Sequence, residues 1–233
     1  MGGMLIGDKH TEKDWGLIWA DLSIPSPELK THTFEVPGAN GIIDVTDRMG
    51  GIKYKNRLLA FSFVNKDMSI ADWHSLYSEI ANHCHGKVMK LILDSDPAFY
   101  WVGRIVVDSS KQDQMHSVLT IAIDAEPYKY DLLESTDRWL WGSFNFRNGI
   151  IRNYNKLEVN TSTTIDVIGT GKNIVPTIIC SRTMTLLFEG KTYPLRIGEN
   201  KDYGIIIQNG INTMRFTTSG SGTVSILFRG GSL

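Results

Sequence analysis

Few side chains in this sequence are spaced so that they could do chemistry together. His83, Cys84 and His85 put three metal-ligating types in a row, yet consecutive residues on a helix point about 100° apart, so the three cannot converge on one ion. The competing reading is a buried Cys84 flanked by exposed imidazoles at a helix end. Asp94 and Asp96 could open a calcium loop, but Ala98 stands at the next ligand position and Ile105 where a bidentate Glu belongs, which leaves a turn with solvated carboxylates. Gly169-Thr170-Gly171-Lys172 is similar to part of a phosphate loop. Asp166, however, replaces the leading Gly, Asn173 replaces the magnesium-binding Ser or Thr, and Pro176 with residues 177–180 reads as a strand where a helix must open. The Gly-x-Ser-x-Gly elbow of serine hydrolases is not in the sequence. Asp44 with Asp47, and Asp124 with Glu126, are acid pairs of the sort glycoside hydrolysis uses, and such pairs are equally common on surfaces. No catalytic residue, metal site or cofactor is expected.

Composition points the same way. With 233 residues, 42% hydrophobic and 21% charged, the chain can bury a core in one large or two modest domains without metal or disulfide staples. A formal net charge of -1 gives no electrostatic case for a dedicated nucleic-acid or membrane binder. The two cysteines, Cys84 and Cys180, lie far apart and form no Cys-x-x-Cys pair, so two buried thiols are expected. Asp8, Lys9, His10, Glu12, Lys13 and Asp14 interrupt any signal-peptide core, and no apolar stretch reaches spanning length, so folding in the cytoplasm is the expectation.

The elements that must position these residues are mostly strands. Leu59, Phe61 and Phe63 alternate with Ala60 and Ser62; Leu119, Ile121 and Ile123 with Thr120 and Ala122; Val224, Ile226 and Phe228 with Ser225 and Leu227. Asn148-Gly149, Asn209-Gly210, Glu189-Gly190 and residues 219–222 are turn candidates. One segment breaks the pattern. Ser69 is a good N-cap with Asp72 three residues on, apolar residues recur at Ile70, Trp73, Leu76, Tyr77, Ile80, Ala81 and Cys84, and Gly86 offers a stop, which predicts a helix over 70–85. Strands are expected over 88–93 and 100–107. Lys53, Lys55 and Arg57 alternate along a strand candidate, either as a solvated face or as a protein interface. After 126–130 the polar stretch 133–138 intervenes and helical periodicity ceases, placing a boundary near 134–139. Trp139, Trp141 and Tyr154 serve core packing or, alternatively, a sugar site.

Asp14-Trp15-Gly16-Leu17, then Val36-Pro37-Gly38 with Gly41 and Asp44, then Tyr54-Lys55-Asn56-Arg57-Leu58 before Phe61-Ser62-Phe63, resembles the opening of the distal tail protein family of long-tailed bacteriophages. The run Asp96-Pro97-Ala98-Phe99-Tyr100-Trp101-Val102-Gly103-Arg104 and the close Glu126-Pro127-Tyr128-Lys129-Tyr130 are also similar to it. Gly169-Thr170, Val175-Pro176-Thr177-Ile178, Glu189-Gly190 and Asn209-Gly210-Ile211-Asn212 resemble, more faintly, the family's galectin-like domain. The sugar-binding arrangement of His, Asn, Arg and Trp is missing from it.

The resemblance implies a mainly β (α+β) chain with one helix: a β-sandwich or split-barrel tube-like domain over 1–135, then a galectin-like β-sandwich over 136–233. It implies a non-enzymatic ring hub, six copies joining the tail tube protein to a tail-associated lysin-type tip protein at the virion tail tip. The outer domains would be available to receptor-binding or baseplate proteins. A hairpin arm over 37–57 would embrace the neighbouring subunit through Pro37, Gly38, Gly41, Asp44, Gly50, Gly51, Tyr54, Lys55 and Arg57. An extended hairpin cannot bury both faces alone, which is a physical reason to expect an oligomer. The alternatives are a carbohydrate-binding module of a host-attachment organelle and a cell-envelope hydrolase.

Overall fold

The computed structural model describes residues 2–49, 51–65, 68–111, 117–138 and 150–233. Gly50, Trp139, Trp141 and the Asn148-Gly149 turn candidate lie outside them. The fold is mainly β with one helix, and the chain divides into two compact units. The first comprises Met1–Asp96, Trp101–Pro127 and Leu233; the second comprises Pro97–Tyr100 and Tyr128–Ser232.

The first unit begins with β1 (Met4–Ile6), β2 (Lys9–His10) and β3 (Ile18–Ser23), followed by a small excursion, β4 (Thr33–Phe34) and β5 (Ile43–Asp44). It continues through β6 (Arg57–Val64), α1 (Ile70–Cys84), β7 (Val88–Leu93), β8 (Phe99–Lys111) and β9 (Ser117–Ala125). Apart from β4 and β5, the strands order as β2-β1-β7-β8-β9-β6-β3 with antiparallel neighbours. Alternation in the sequence becomes one buried face. Leu59 is opposite Ile123, Phe61 opposite Ile121 and Phe63 opposite Leu119, while Ile105 and Val107 of β8 continue the same rows.

Helix α1 lays Trp73, Ile80 and Cys84 on this core. Its start follows from Ser69: the hydroxyl accepts the Asp72 amide at 3.1 Å and donates to the Asp72 carboxylate at 2.6 Å, answering one of the amides a helix N-terminus leaves open. At the other end Lys87 Nζ donates to the carbonyls of Asn82 and His83. Removing Trp73 from water contributes on the order of 3 kcal/mol, more than the cap, so packing rather than local propensity holds the helix.

The second unit holds β10 (Lys129–Asp131), β11 (Leu157–Gly169), β12 (Thr177–Cys180), β13 (Met184–Phe188), β14 (Lys191–Leu195), β15 (Gly198–Asn200), β16 (Gly210–Leu227) and β17 (Gly231–Ser232). Six of these form a sheet in the order β14-β13-β16-β12-β15, with β11 along the other side of β16. The pairing of β11 with β16 jumps between Asn160 and Ser162, where Thr161 takes φ 61°. Beyond the jump β16 is flanked by β12 instead of β13. Two long strands thus bend across one core containing Val159, Val167, Ile178, Leu186, Phe216 and Ile226.

Turn expectations meet mixed outcomes here. Glu189 and Gly190, at φ 49° and 75°, make a two-residue loop between the paired Phe188 and Lys191, and Gly190 takes its left-handed backbone without the strain a Cβ adds. Residues 219–222, by contrast, are not a turn: β16 runs through them, because β11 supplies a bent partner there. Asn209-Gly210 is likewise no tight hairpin, since Gly210 already pairs with Gly169 as β16 begins.

Candidate functional site

Residues grouped by sequence are separated by the fold. Cys84 is buried, its thiol donates to the Ile80 carbonyl, and burial pushes it up to about 11, with Lys87 opposing weakly. Of the flanking histidines, His85 is exposed as expected and His83 is half-buried, and both imidazoles are hydrogen-bonded. His83 donates from Nε2 to the Ile6 carbonyl at 3.0 Å and packs edge-on to Trp15, and His85 Nδ1 accepts the Val107 amide at 3.1 Å. Cys180 is likewise buried and raised to about 11. Among the described residues no three His, Cys, Asp or Glu side chains gather as metal ligands.

Asp94 is more engaged than a solvated turn carboxylate. It accepts the Gly3 amide at 2.7 Å and faces His10 Nε2 at 3.1 Å. His10 Nδ1 in turn accepts from the amides of Glu12 and Lys13, each at 3.2 Å, which fixes the proton on Nε2. The sequence reading missed this His–Asp pair because its members are 84 positions apart. With both imidazole nitrogens committed, it pins the chain start to β7 rather than activating a nucleophile.

The feature left without a purpose inside the unit is the excursion carrying β4 and β5. Its two limbs pair from the Lys55 amide on the Glu28 carbonyl, through a Leu29–Tyr54 bridge and the Lys30 amide on the Lys53 carbonyl, to Thr33 opposite Asp44 and Phe34 opposite Ile43. The tip turns at Val36-Pro37-Gly38-Ala39, with the Ala39 amide on the Val36 carbonyl at 3.1 Å and Gly38 at φ 82°. Pro then Gly at these positions is the type II pattern, in which only Gly takes the positive φ cheaply. A 3-10 turn, Thr46–Met49, fills the return limb, and Gly51 follows it. The Thr46 hydroxyl and amide hold the Asp44 carboxyl below the usual carboxylate range. Lys55 pairs with Glu28 at 3.1 Å on the surface, a contact of small energetic weight.

This arm buries little of its own apolar surface: Ile42 is 61% exposed, Ile52 53%, Phe34 50% and Leu29 49%. A two-residue ladder near the tip and a few backbone bonds at the root cannot hold such a hairpin out in water by themselves. Of the residues anticipated for the arm, Pro37, Gly38 and Gly41 sit at its tip, and Asp44, Gly51, Tyr54 and Lys55 on its return limb. Arg57 does not join them. It begins β6, is only 7% exposed, stacks 4.1 Å from the Trp101 ring centre and donates to the Pro25 carbonyl. The alternation of Lys53, Lys55 and Arg57 on one strand face fails because residues 51–56 are not a strand beyond the Tyr54 bridge. The outgoing limb, 28–35, lay ahead of the expected arm. Its signal was His32-Thr33-Phe34-Glu35-Val36 running into Pro37-Gly38, a short β-forming stretch before a turn.

In the second unit the outward face of β11, β16 and β13 is polar. Arg215 donates to Ser162 at 3.0 Å and Thr213 to Asp166 at 2.7 Å, with Leu187 beside Arg215. Tyr154, a sugar-stacking candidate by type, is buried against Phe228, and its hydroxyl accepts the Ile168 amide at 2.9 Å. It is a core residue.

This chain, a single-helix antiparallel sheet with a hairpin outgrowth followed by a β unit of long bent strands, has the fold of a known phage hub protein. That structure is the Dit protein (gp 19.1) of phage SPP1, described as a paradigm of the hub adsorption apparatus in phages that infect Gram-positive bacteria. This chain is similar to it with a TM-score of 0.63 over 98% of its own length and 99% of that chain, at 14% sequence identity. The two share a fold. No protein-family model and no curated protein matches the sequence.

Proposed function

We propose that this chain is a structural, non-enzymatic subunit of a phage tail hub. Copies of it, six to a ring, join the tail tube to the tip or baseplate and its host-attachment proteins at the end of the virion tail. The observation that carries the reading is the fold shared with a tail hub protein from one end of the chain to the other. The arm supports it physically. Residues 28–55 hold out apolar side chains that a lone subunit leaves in water, and a second subunit is the economical cover. In this reading residues 1–135 make the ring through Pro37, Gly38, Gly41, Asp44, Gly50, Gly51, Tyr54 and Lys55. The galectin-like second domain then stands available to receptor-binding or baseplate components.

Size-exclusion chromatography with light scattering tests it: a six-subunit mass that forms with rising concentration or on adding the tail tube protein is the expected result. A strictly monomeric chain under both conditions counts against the ring. Binding on a glycan array, or lysis of host cell walls in a zymogram, would replace this function with carbohydrate recognition or envelope hydrolysis.

A further inference from the structure

Arg57 is a buried cation whose hydrogen bonds are incomplete. Its Nη1 donates to the Pro25 carbonyl at 3.1 Å, while Nε and Nη2 are buried with no acceptor. Those two atoms share one edge of the guanidinium, the fork that grips both oxygens of a carboxylate side-on. Trp101 lies against the group at 4.1 Å, and burial lowers the arginine's pKa from its ordinary value with no acid opposing that shift. Among the described residues no carboxylate answers it. An unmet, desolvated fork is expensive to keep inside a protein unless something later fills it.

Where Arg57 sits indicates what fills it. Pro25 is the root of the arm, and Arg57 is where the arm re-enters the sheet as β6. At the arm tip, Glu35 stands between the exposed Phe34 and Val36. Glu28 already faces Lys55, and Asp44 is held by Thr46. A carboxylate flanked by apolar side chains matches a cation bedded on an aromatic ring. A chain's own Glu35 cannot reach, because a paired limb advancing about 3.3 Å per residue carries it about 20 Å from its root. We propose that Arg57 receives Glu35 from the arm of a second copy of the chain on its Nε–Nη2 edge, the cover over that edge moving aside while Nη1 keeps the Pro25 carbonyl. This rests on the self-assembling reading above and assigns that assembly its central charge pair.

The test is a double-mutant cycle read by sedimentation velocity over a wide concentration range, using the full chain, Arg57→Met, Glu35→Gln and the pair together. Each single change is expected to weaken association on the order of a hundredfold. The double change should be no weaker than the worse single, while the Arg57→Met monomer melts no lower than wild type, having lost an unpaired buried charge. Glu35→Gln, at an exposed tip, keeps the test valid should Arg57→Met fold poorly. Unchanged association in either single variant, or losses that add in the double, overturns the pair and leaves the ring standing. A lower melting temperature of Arg57→Met with unaltered association likewise overturns it by showing a purely structural role. A wild-type chain that never associates removes both the ring and the pair.

Discussion

Asp94 illustrates how a residue's neighbours decide its behaviour. Its partial burial pushes the carboxyl up, but the Gly3 amide, the hydrogen bond and electrostatic pull of His10 and the charge of Lys13 outweigh this and leave it below its ordinary value. A carboxylate whose folded value is depressed stabilises the fold fully above its unfolded value, near about 4, and that contribution is lost as pH falls through the folded value. Asp94→Ala should therefore cost about 1 kcal/mol at neutral pH, a figure kept small because the side chain is 41% exposed. Denaturant melts from pH 7 to pH 2 should show the gap between variant and wild type closing on the acid side. A gap that stays constant would mean that the hydrogen bond to Gly3, rather than the charge, carries the effect. The same holds for His83 and His85, read from the sequence only as exposed imidazoles beside Cys84, whose partners, Ile6 and Val107, come from strands outside the helix.

Among the elements, two loops of the second unit repeat one device that the sequence reading did not separate from background. Asn200 accepts the Arg196 amide at 2.8 Å and donates to the carbonyls of Arg196, Gly198 and Ile178. Asn212 does the same with the Gln208 amide and the carbonyls of Gln208, Gly210 and Val167. The shared spacing, a Gly two residues before the Asn, lets one side-chain amide close a bend and lock it to the neighbouring strand. Asn212 is buried, so Asn212→Ala strands several backbone groups and should destabilise the fold by about 2–3 kcal/mol. Asn200, more accessible to water, should cost about half as much. Equal losses in chemical denaturation would show that burial does not set the difference. Helix α1 was plain in the sequence by contrast, since its cap, its apolar stripe and its stop all lie within one contiguous stretch.

For the whole molecule, the consequential surface is the one its own units leave open. Ile42→Ser with Ile52→Ser on the arm should leave the melting temperature within about 2 °C of wild type, since neither side chain belongs to a core. The same pair should lower self-association at least tenfold by removing apolar area from the interface. A large drop in melting temperature would instead place these residues in the stability of the subunit. The sequence by itself determined what short-range pattern can write: strands from period-two alternation, one helix from its stripe and cap, two buried thiols, and the likeness to a tail protein in its ordered motifs. Only the tertiary structure decided what depends on distant partners. It carried β16 straight through residues 219–222, added the limb at 28–35 to the arm, and drew Arg57 out of the arm into the core beside Trp101. The physical reason is that a strand's register, and whether a cation finds its acceptor, are settled by chain segments tens of residues away, which local periodicity does not encode.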